Sequence, residues 1–143
     1  MQIQQISVFV ENKPGRLADI TETLAQGQVN IRAVSVADTS DFGILRLIVD
    51  KPQEAVRTLR EAGHTVSLTN VIAVCMEDTP GSFAKIMRVL ADHGVTVEYM
   101  YAFISREHGK AFVILRVDDS ERAVAVLKEH QITILSAEEI YGM

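Results

Sequence analysis

The sequence has no tryptophan, one cysteine, three prolines and no long hydrophobic run, and each shortage removes a class of protein. A single thiol, Cys75, excludes any disulfide within the chain, and its place inside an apolar run reads as a small buried hydrophobe rather than a reactive group. No apolar stretch approaches the roughly 20 residues needed to span a bilayer. Met1-Gln2-Ile3-Gln4-Gln5 has neither a basic start nor an apolar core, so the expected compartment is the cytoplasm. Positive charge is short as well, with 14 Lys and Arg against 19 Asp and Glu. Affinity for nucleic acid rests mainly on Lys and Arg neutralising phosphates, so no nucleic-acid partner is expected. His64, His93, His108 and His130 stand at no metal-ligand spacing and read as polar surface. No metal, cofactor or membrane partner is expected.

What the chain does contain is a repeat. Asn12-Lys13-Pro14-Gly15 comes back as Asp78-Thr79-Pro80-Gly81, 66 positions later. Ahead of the first copy lies the apolar run Ile6 to Val10, and behind it Leu17, Ile20 and Leu24 at helical spacing. The second copy has Val71 to Met76 before it and Phe83, Ile86 and Leu90 after it. Farther on the offset grows by two, since Asp50 matches Asp118, and the extra length falls around Arg106-Glu107-His108-Gly109.

Periodicity gives each copy the same course. Strands are expected over 3–10, 31–38, 44–49 and 65–68, with a turn at Asp38-Thr39-Ser40-Asp41. Helices are expected from Pro14 to Gly27 and from Pro52 to Gly63, the second with Ala55, Val56, Leu59 and Ala62 as its buried stripe. In the second copy strands fall over 70–76, 97–105, 111–117 and 132–135, with helices over 82–93 and around Ala123, Val124 and Leu127. Each copy is βαββαβ, which folds into a four-stranded antiparallel sheet with both helices on one face. The fold class is therefore α+β, in two units of residues 1–69 and 70–143. Thr69-Asn70 is the whole linker, so the sheets are expected close together, edge to edge.

The turn can carry chemistry. Unpaired amides of a helix first turn, with the positive end of the helix dipole behind them, suit a carboxylate, and Gly15 and Gly81 let a ligand approach the backbone. Asn12 and Asn30 offer carboxamides and Asp78 a carboxylate, so acid and amino ends of a zwitterion could both be held. Pro14 in the first helical turn, with Asn12 or Asp78 as its cap, would equally make a sound turn with no ligand at all.

The run Glu11-Asn12-Lys13-Pro14-Gly15-Arg16-Leu17, followed by Gly27-Gln28-Val29-Asn30-Ile31, resembles an ACT domain. The resemblance covers nearly the whole chain as a tandem pair with no catalytic domain attached. It implies ferredoxin-like βαββαβ modules that bind amino acids or similar small carboxylates and regulate amino-acid metabolism, most simply as a homodimer and not as an enzyme. In serine-sensing members the Asn before Pro-Gly and the Asn after the first helix contact the effector between two modules; these are Asn12 and Asn30 here. Val10 stands where those members carry a His, and Asp78 and Thr96 stand where the second copy would need Asn. The resemblance implies a ligand-binding set of Asn12, Lys13, Pro14, Gly15, Arg16, Leu17, Asn30 and Ile31 in the first copy. In the second it implies Asp78, Thr79, Pro80, Gly81, Ser82, Phe83 and Thr96.

Tyr99, Tyr101 and Phe103 alternate and so share one face of their strand, where the offset matches them to Ala33, Ser35 and Ala37. Val34, Val36, Met100 and Ile104 are the better fit to the helix-covered face, which leaves the aromatics on the open face as a candidate interface or ligand wall. Ordinary core aromatics would show the same spacing. An RNA-recognition module would also use sheet aromatics, but the acidic charge opposes it. A small phosphatase with Arg16 as anion binder lacks a phosphate-cradling Gly-rich loop and a nucleophile with its base. The serious alternative to a sensor is a regulatory subunit that binds a separate metabolic enzyme and has no amino-acid ligand of its own.

Overall fold

Ile6, Val8 and Val10 alternate with Ser7 and Phe9, and that period of two makes Ile3–Glu11 a strand, β1, with one face buried from Ile6 onward and Ile3 and Gln5 buried on the other. A computed structural model describes residues 2–38, 40–104 and 108–143; the expected turn residues Thr39, Arg106 and Glu107 and the expected strand end Ser105 lie outside them. After β1 come α1 (Arg16–Gln26), β2 (Ile31–Asp38), β3 (Phe42–Val49), α2 (Pro52–Glu61) and β4 (Thr65–Glu77). The second copy continues with α3 (Ser82–Asp92), β5 (Val97–Ile104), β6 (Lys110–Val117), α4 (Ser120–Glu129), β7 (Thr133–Leu135) and α5 (Ala137–Tyr141).

Contacts divide the chain into two units. One is Gln4–Thr69 with Ile140–Met143, and the other joins Ile3 to Asn70–Glu139. The N-terminal unit has strand order β2-β3-β1-β4, and the C-terminal unit β5-β6-β4-β7. Both are ferredoxin-like antiparallel sheets with helices on one face. Residues 65–69 of β4 close the first unit and residues 70–77 open the second. The expected linker at Thr69-Asn70 is strand instead, because neither Gly nor Pro interrupts the extended run from Thr65 to Val74.

Each unit has its own core between sheet and helices. In the first, Ile6, Val8, Leu45 and Leu47 meet Ile20 and Leu24 of α1 and Ala55, Val56 and Leu59 of α2. In the second, Ile72, Val74, Val113 and Leu115 meet Ile86, Leu90, Ala123 and Leu127. Burying one such aliphatic side chain stabilises by about 1.5–3 kcal/mol, which makes these stripes the main force holding helix to sheet.

Four expected core positions turn out otherwise. Leu17 is 45% exposed, whereas Phe83 at the matching place in α3 packs partly against its core. Ala62 lies past the end of α2 and is exposed, while Gly63 takes φ +92° and closes the helix as expected. Val126 fills the α4 stripe, with Val124 only partly buried beside it. Cys75 is half-buried.

The outer strands explain another difference. Val34 pairs with Leu47, Val36 with Leu45 and Met100 with Leu115, so all three stand on the helix side as expected. Yet all three are exposed, since β2 and β5 are the outermost strands and run beyond the helical cover. Helix α5 was not foreseen. Its last residue docks on the N-terminal unit, where the Gln4 N–H donates to the Tyr141 hydroxyl at 2.9 Å and Arg32 Nη2 donates to the Tyr141 carbonyl at 3.2 Å.

Candidate functional site

The two Pro-Gly turns fold alike. Gly15 has φ +88° and Gly81 φ +90°, a left-handed backbone that a side chain strains to adopt. That kink delays each helix to Arg16 and Ser82, so Pro14 and Pro80 sit in the turn before it and not in its first turn. The Arg16 N–H closes the turn on the Lys13 carbonyl at 3.3 Å, and the Ser82 N–H does so on Thr79 at 3.2 Å. Asp19 and Lys85 then make the first helical bonds, to Gly15 and Gly81. Helix geometry leaves the amides of Leu17 and Ala18, and of Phe83 and Ala84, directed out of the first turn.

The N-cap positions fall on Gly15 and Gly81 and not, as expected, on Asn12 and Asp78. Asn12 faces the other way. Its Nδ2 donates to the Phe42 carbonyl at 3.2 Å and its backbone N–H to Asp41 at 2.9 Å, which ties the turn to the start of β3. The Asp78 N–H makes the matching bond to Gly109 at 2.8 Å. Thr79 and Ser82 join hydroxyls at 2.8 Å. Lys13 pairs with Glu11 at 2.9 Å, and its ammonium holds the Glu11 carboxyl below the usual glutamate range. Asn12, Lys13, Pro14, Gly15, Arg16 and Leu17 are all exposed.

Asn30 is not brought to this turn. Ile31 pairs with Val49 at one end of β3, whereas Glu11 pairs with Phe42 at the other. At about 3.3 Å per residue, the length of β2 puts roughly 20 Å between the two ends. A single amino acid cannot reach both within one unit, so the shared cleft expected of Asn12, Gly15 and Asn30 does not form there. The Asn30 amide is held by the Asp50 carboxylate at 2.9 Å, and the Thr96 amide by Asp118 at 3.0 Å. Ile31 packs partly against the core.

What does adjoin the turn is a cleft that sequence reasoning missed, and it is built twice. In the N-terminal unit about 430 Å³ lies between the end of β1, the first half of α1 and the α2–β4 turn, lined by Phe9, Glu11, Arg16, Asp19, Gly63, His64 and Thr65. In the C-terminal unit about 220 Å³ is lined by Cys75, Glu77, Ser82, Lys85, Lys110, Gln131, Ile132 and Thr133. Apart from Lys110, whose counterpart Phe42 does not line the first cleft, these are the same positions at the repeat offsets. Their charge differs. Glu11 and Asp19 outweigh Arg16, which reaches Asp19 at 3.9 Å, while Lys85 and Lys110 outweigh Glu77, which pairs with Lys110. The signal was the offset itself, carried past the turn to the residue at the end of β1 and the one a helical turn into α1.

The aromatic stripe stands on the helix-free face as expected. Tyr99 lies opposite Arg116, Tyr101 opposite Ile114 and Phe103 opposite Phe112, with the two phenylalanine rings edge to face at 5.2 Å. All three are half-buried. Phe103 also meets Asp78 and Lys110 in a second opening of about 280 Å³ beside the turn, so one member of the stripe and one of the turn residues share a surface.

With the repeated turn, its two clefts and the βαββαβ units described, comparison with known proteins decides the family. The family model of the ACT domain pair matches residues 1–143. The chain belongs to that family. This ACT domain pair is 37% identical to protein BT0572 from Bacteroides thetaiotaomicron, over 100% of this chain and 98% of that one, with a TM-score of 0.95. The regulatory subunit of aspartate kinase from Thermus thermophilus, in its ligand-free form, is 22% identical over 90% of this chain and 91% of that one, with a TM-score of 0.67. That from Thermus flavus is 21% identical over 90% of each, with a TM-score of 0.64. At such identity these two share the fold. No curated protein matches the chain. Among the described residues no helix is long and apolar enough to cross a membrane.

Proposed function

We propose that this ACT domain pair senses a free amino acid, or a similar small carboxylate, at its strand–turn–helix junctions and thereby regulates amino-acid metabolism. The observation that carries the reading is the cleft built twice at equivalent residues, each beside a left-handed glycine and an open first helical turn. The ligand carboxylate meets the amides of Leu17 and Ala18 or of Phe83 and Ala84. Its ammonium meets Glu11 and Asp19 in the first cleft, and Glu77 in the second. The excess of Lys85 and Lys110 suits the second cleft to the more anionic ligand. Asn30 joins a site only from another module, as a homodimer provides. Binding there shifts the equilibrium of an attached or separate enzyme by its difference in affinity for two states.

A thermal-shift panel of the common amino acids on the purified chain tests this. A ligand at 100 times its dissociation constant stabilises the native state by about 2.7 kcal/mol, so one amino acid or one chemical class should raise the melting temperature. A flat panel at millimolar concentration overturns amino-acid sensing.

A second reading has its own support. Phe9 and Phe42 stack at 4.9 Å and stand 52% and 41% exposed beside Ile44 on the helix-free face. The same fold also serves as the regulatory subunit of aspartate kinase in Thermus. Under this reading the chain docks on a separate enzyme through that apolar surface and has no ligand of its own. Phe9→Ser with Phe42→Ser would then abolish partner binding, and Arg16→Ala would not.

A further inference from the structure

The C-terminal ends of α3 and α4 bring together two histidines that lie far apart in sequence and away from the Pro-Gly turn. His93 follows α3, His130 follows α4, and their rings stand 5.3 Å apart, near edge-on at 74°. Nδ1 of His93 is 2.8 Å from the Val89 carbonyl, and Nδ1 of His130 is 2.9 Å from the Val126 carbonyl. A carbonyl oxygen only accepts, so in each neutral ring Nδ1 carries the proton and Nε2 keeps its lone pair. Proteins fix metal-ligating histidines in this way, with the far nitrogen bonded to a backbone carbonyl.

We propose that His93 and His130 bind a divalent transition-metal ion of the zinc class through their two Nε2 atoms, with water completing the coordination. With Zn–N bonds of about 2.0–2.1 Å and a tetrahedral angle, two imidazoles on one ion have centroids roughly 5.2 Å apart, and the observed separation matches. Both helices direct the negative ends of their dipoles at the pair, which favours a cation. The neighbouring Asp92 is engaged by Arg88 at 3.6 Å. Among the described residues no cluster of three or more His, Cys, Asp or Glu forms a metal site, so the affinity is that of a two-ligand site. The first repeat supplies a control. At the equivalent positions it has Gly27, where a Cβ would come within 3.3 Å of the Thr58 hydroxyl, and Ala62. Both members of the facing pair are histidine in one repeat and small in the other, and the small pair folds without them.

The test is calorimetric titration of the untagged chain with zinc chloride alone. One ion per chain is expected, weakened at least about tenfold by either His93→Ala or His130→Ala. His93→Gly with His130→Ala installs the pair that the first repeat already folds with, and should abolish binding. No binding at millimolar zinc, or binding undiminished in the variants, overturns the proposal. Independently of any variant, zinc should move the Nε2 nuclear magnetic resonances of His93 and His130 and leave those of His64 and His108; the reverse pattern also overturns it.

Discussion

The backbone amide of Asn30 donates to the carboxylate of Asp50 at 2.9 Å, and the Asp50 amide returns a bond to the Asn30 carbonyl at 3.1 Å. Thr96 and Asp118 repeat both bonds, at 3.0 and 3.1 Å. The clamp fastens the loop before the outer strand to the end of the strand beside it, and it does not depend on the side chain of Asn30. Asp50→Ala and Asp118→Ala should each lower stability by about 1 kcal/mol, read from denaturant midpoints. Asn30→Ala should leave stability within about 0.5 kcal/mol, and a larger loss would mean that its carboxamide has a structural task.

The left-handed positions make a second pair of predictions. Gly15→Ala or Gly81→Ala should destabilise by about 1 kcal/mol, because open space surrounds both and only the backbone angle opposes a side chain. Gln28 holds φ +58° at the place where the second repeat has Gly94. Gln28→Gly should therefore stabilise, by up to about 1 kcal/mol. Thermal melts of the three variants check both signs.

Much of the fold was legible from period and punctuation. Ile6, Val8 and Val10 spell a half-buried strand, Pro52 and Gly63 bracket α2, and the turn recurring at Asp78 announces two units. The continuous β4 was not legible, because Thr69-Asn70 is polar like a loop but contains nothing that breaks an extended run. The site was half legible. Residues of the turn can be read off Asn12 to Leu17, but the partners across the cleft, His64 and Thr65, come from a distant turn that only the folded unit brings near. Asn30 was misplaced in the same way, since its nearness in sequence hides the length of the strand that separates it from Asn12.

Acid should weaken one surface pair. Lys13 bonds to Glu11 and lowers its carboxyl, so that stability is present above the unfolded glutamate value of about 4.3 and is lost as pH falls through the folded value. The pair is exposed, so salt screens it. Lys13→Ala should move the Glu11 titration upward, followed by its carboxyl resonance. An unmoved titration would mean that the pair does not form in solution.

Tyr141 should matter to the N-terminal unit despite its place near the end of the sequence. Tyr141→Phe removes the acceptor of the Gln4 amide and should cost about 1 kcal/mol. Amide hydrogen exchange at Gln4 should quicken in the variant; unchanged protection there would show that the tail is not docked.

The most direct test of the sensing site is amide mapping by nuclear magnetic resonance, with the amino acid that gives the largest thermal shift titrated into labelled protein. The largest changes should fall on Leu17 and Ala18 with Glu11 and His64, or on Phe83 and Ala84 with Glu77 and Thr133, and Arg16→Ala or Lys85→Ala should weaken the corresponding set. Saturable changes confined to other surfaces, or none with any amino acid at millimolar concentration, would contradict ligand binding at the strand–turn–helix junctions.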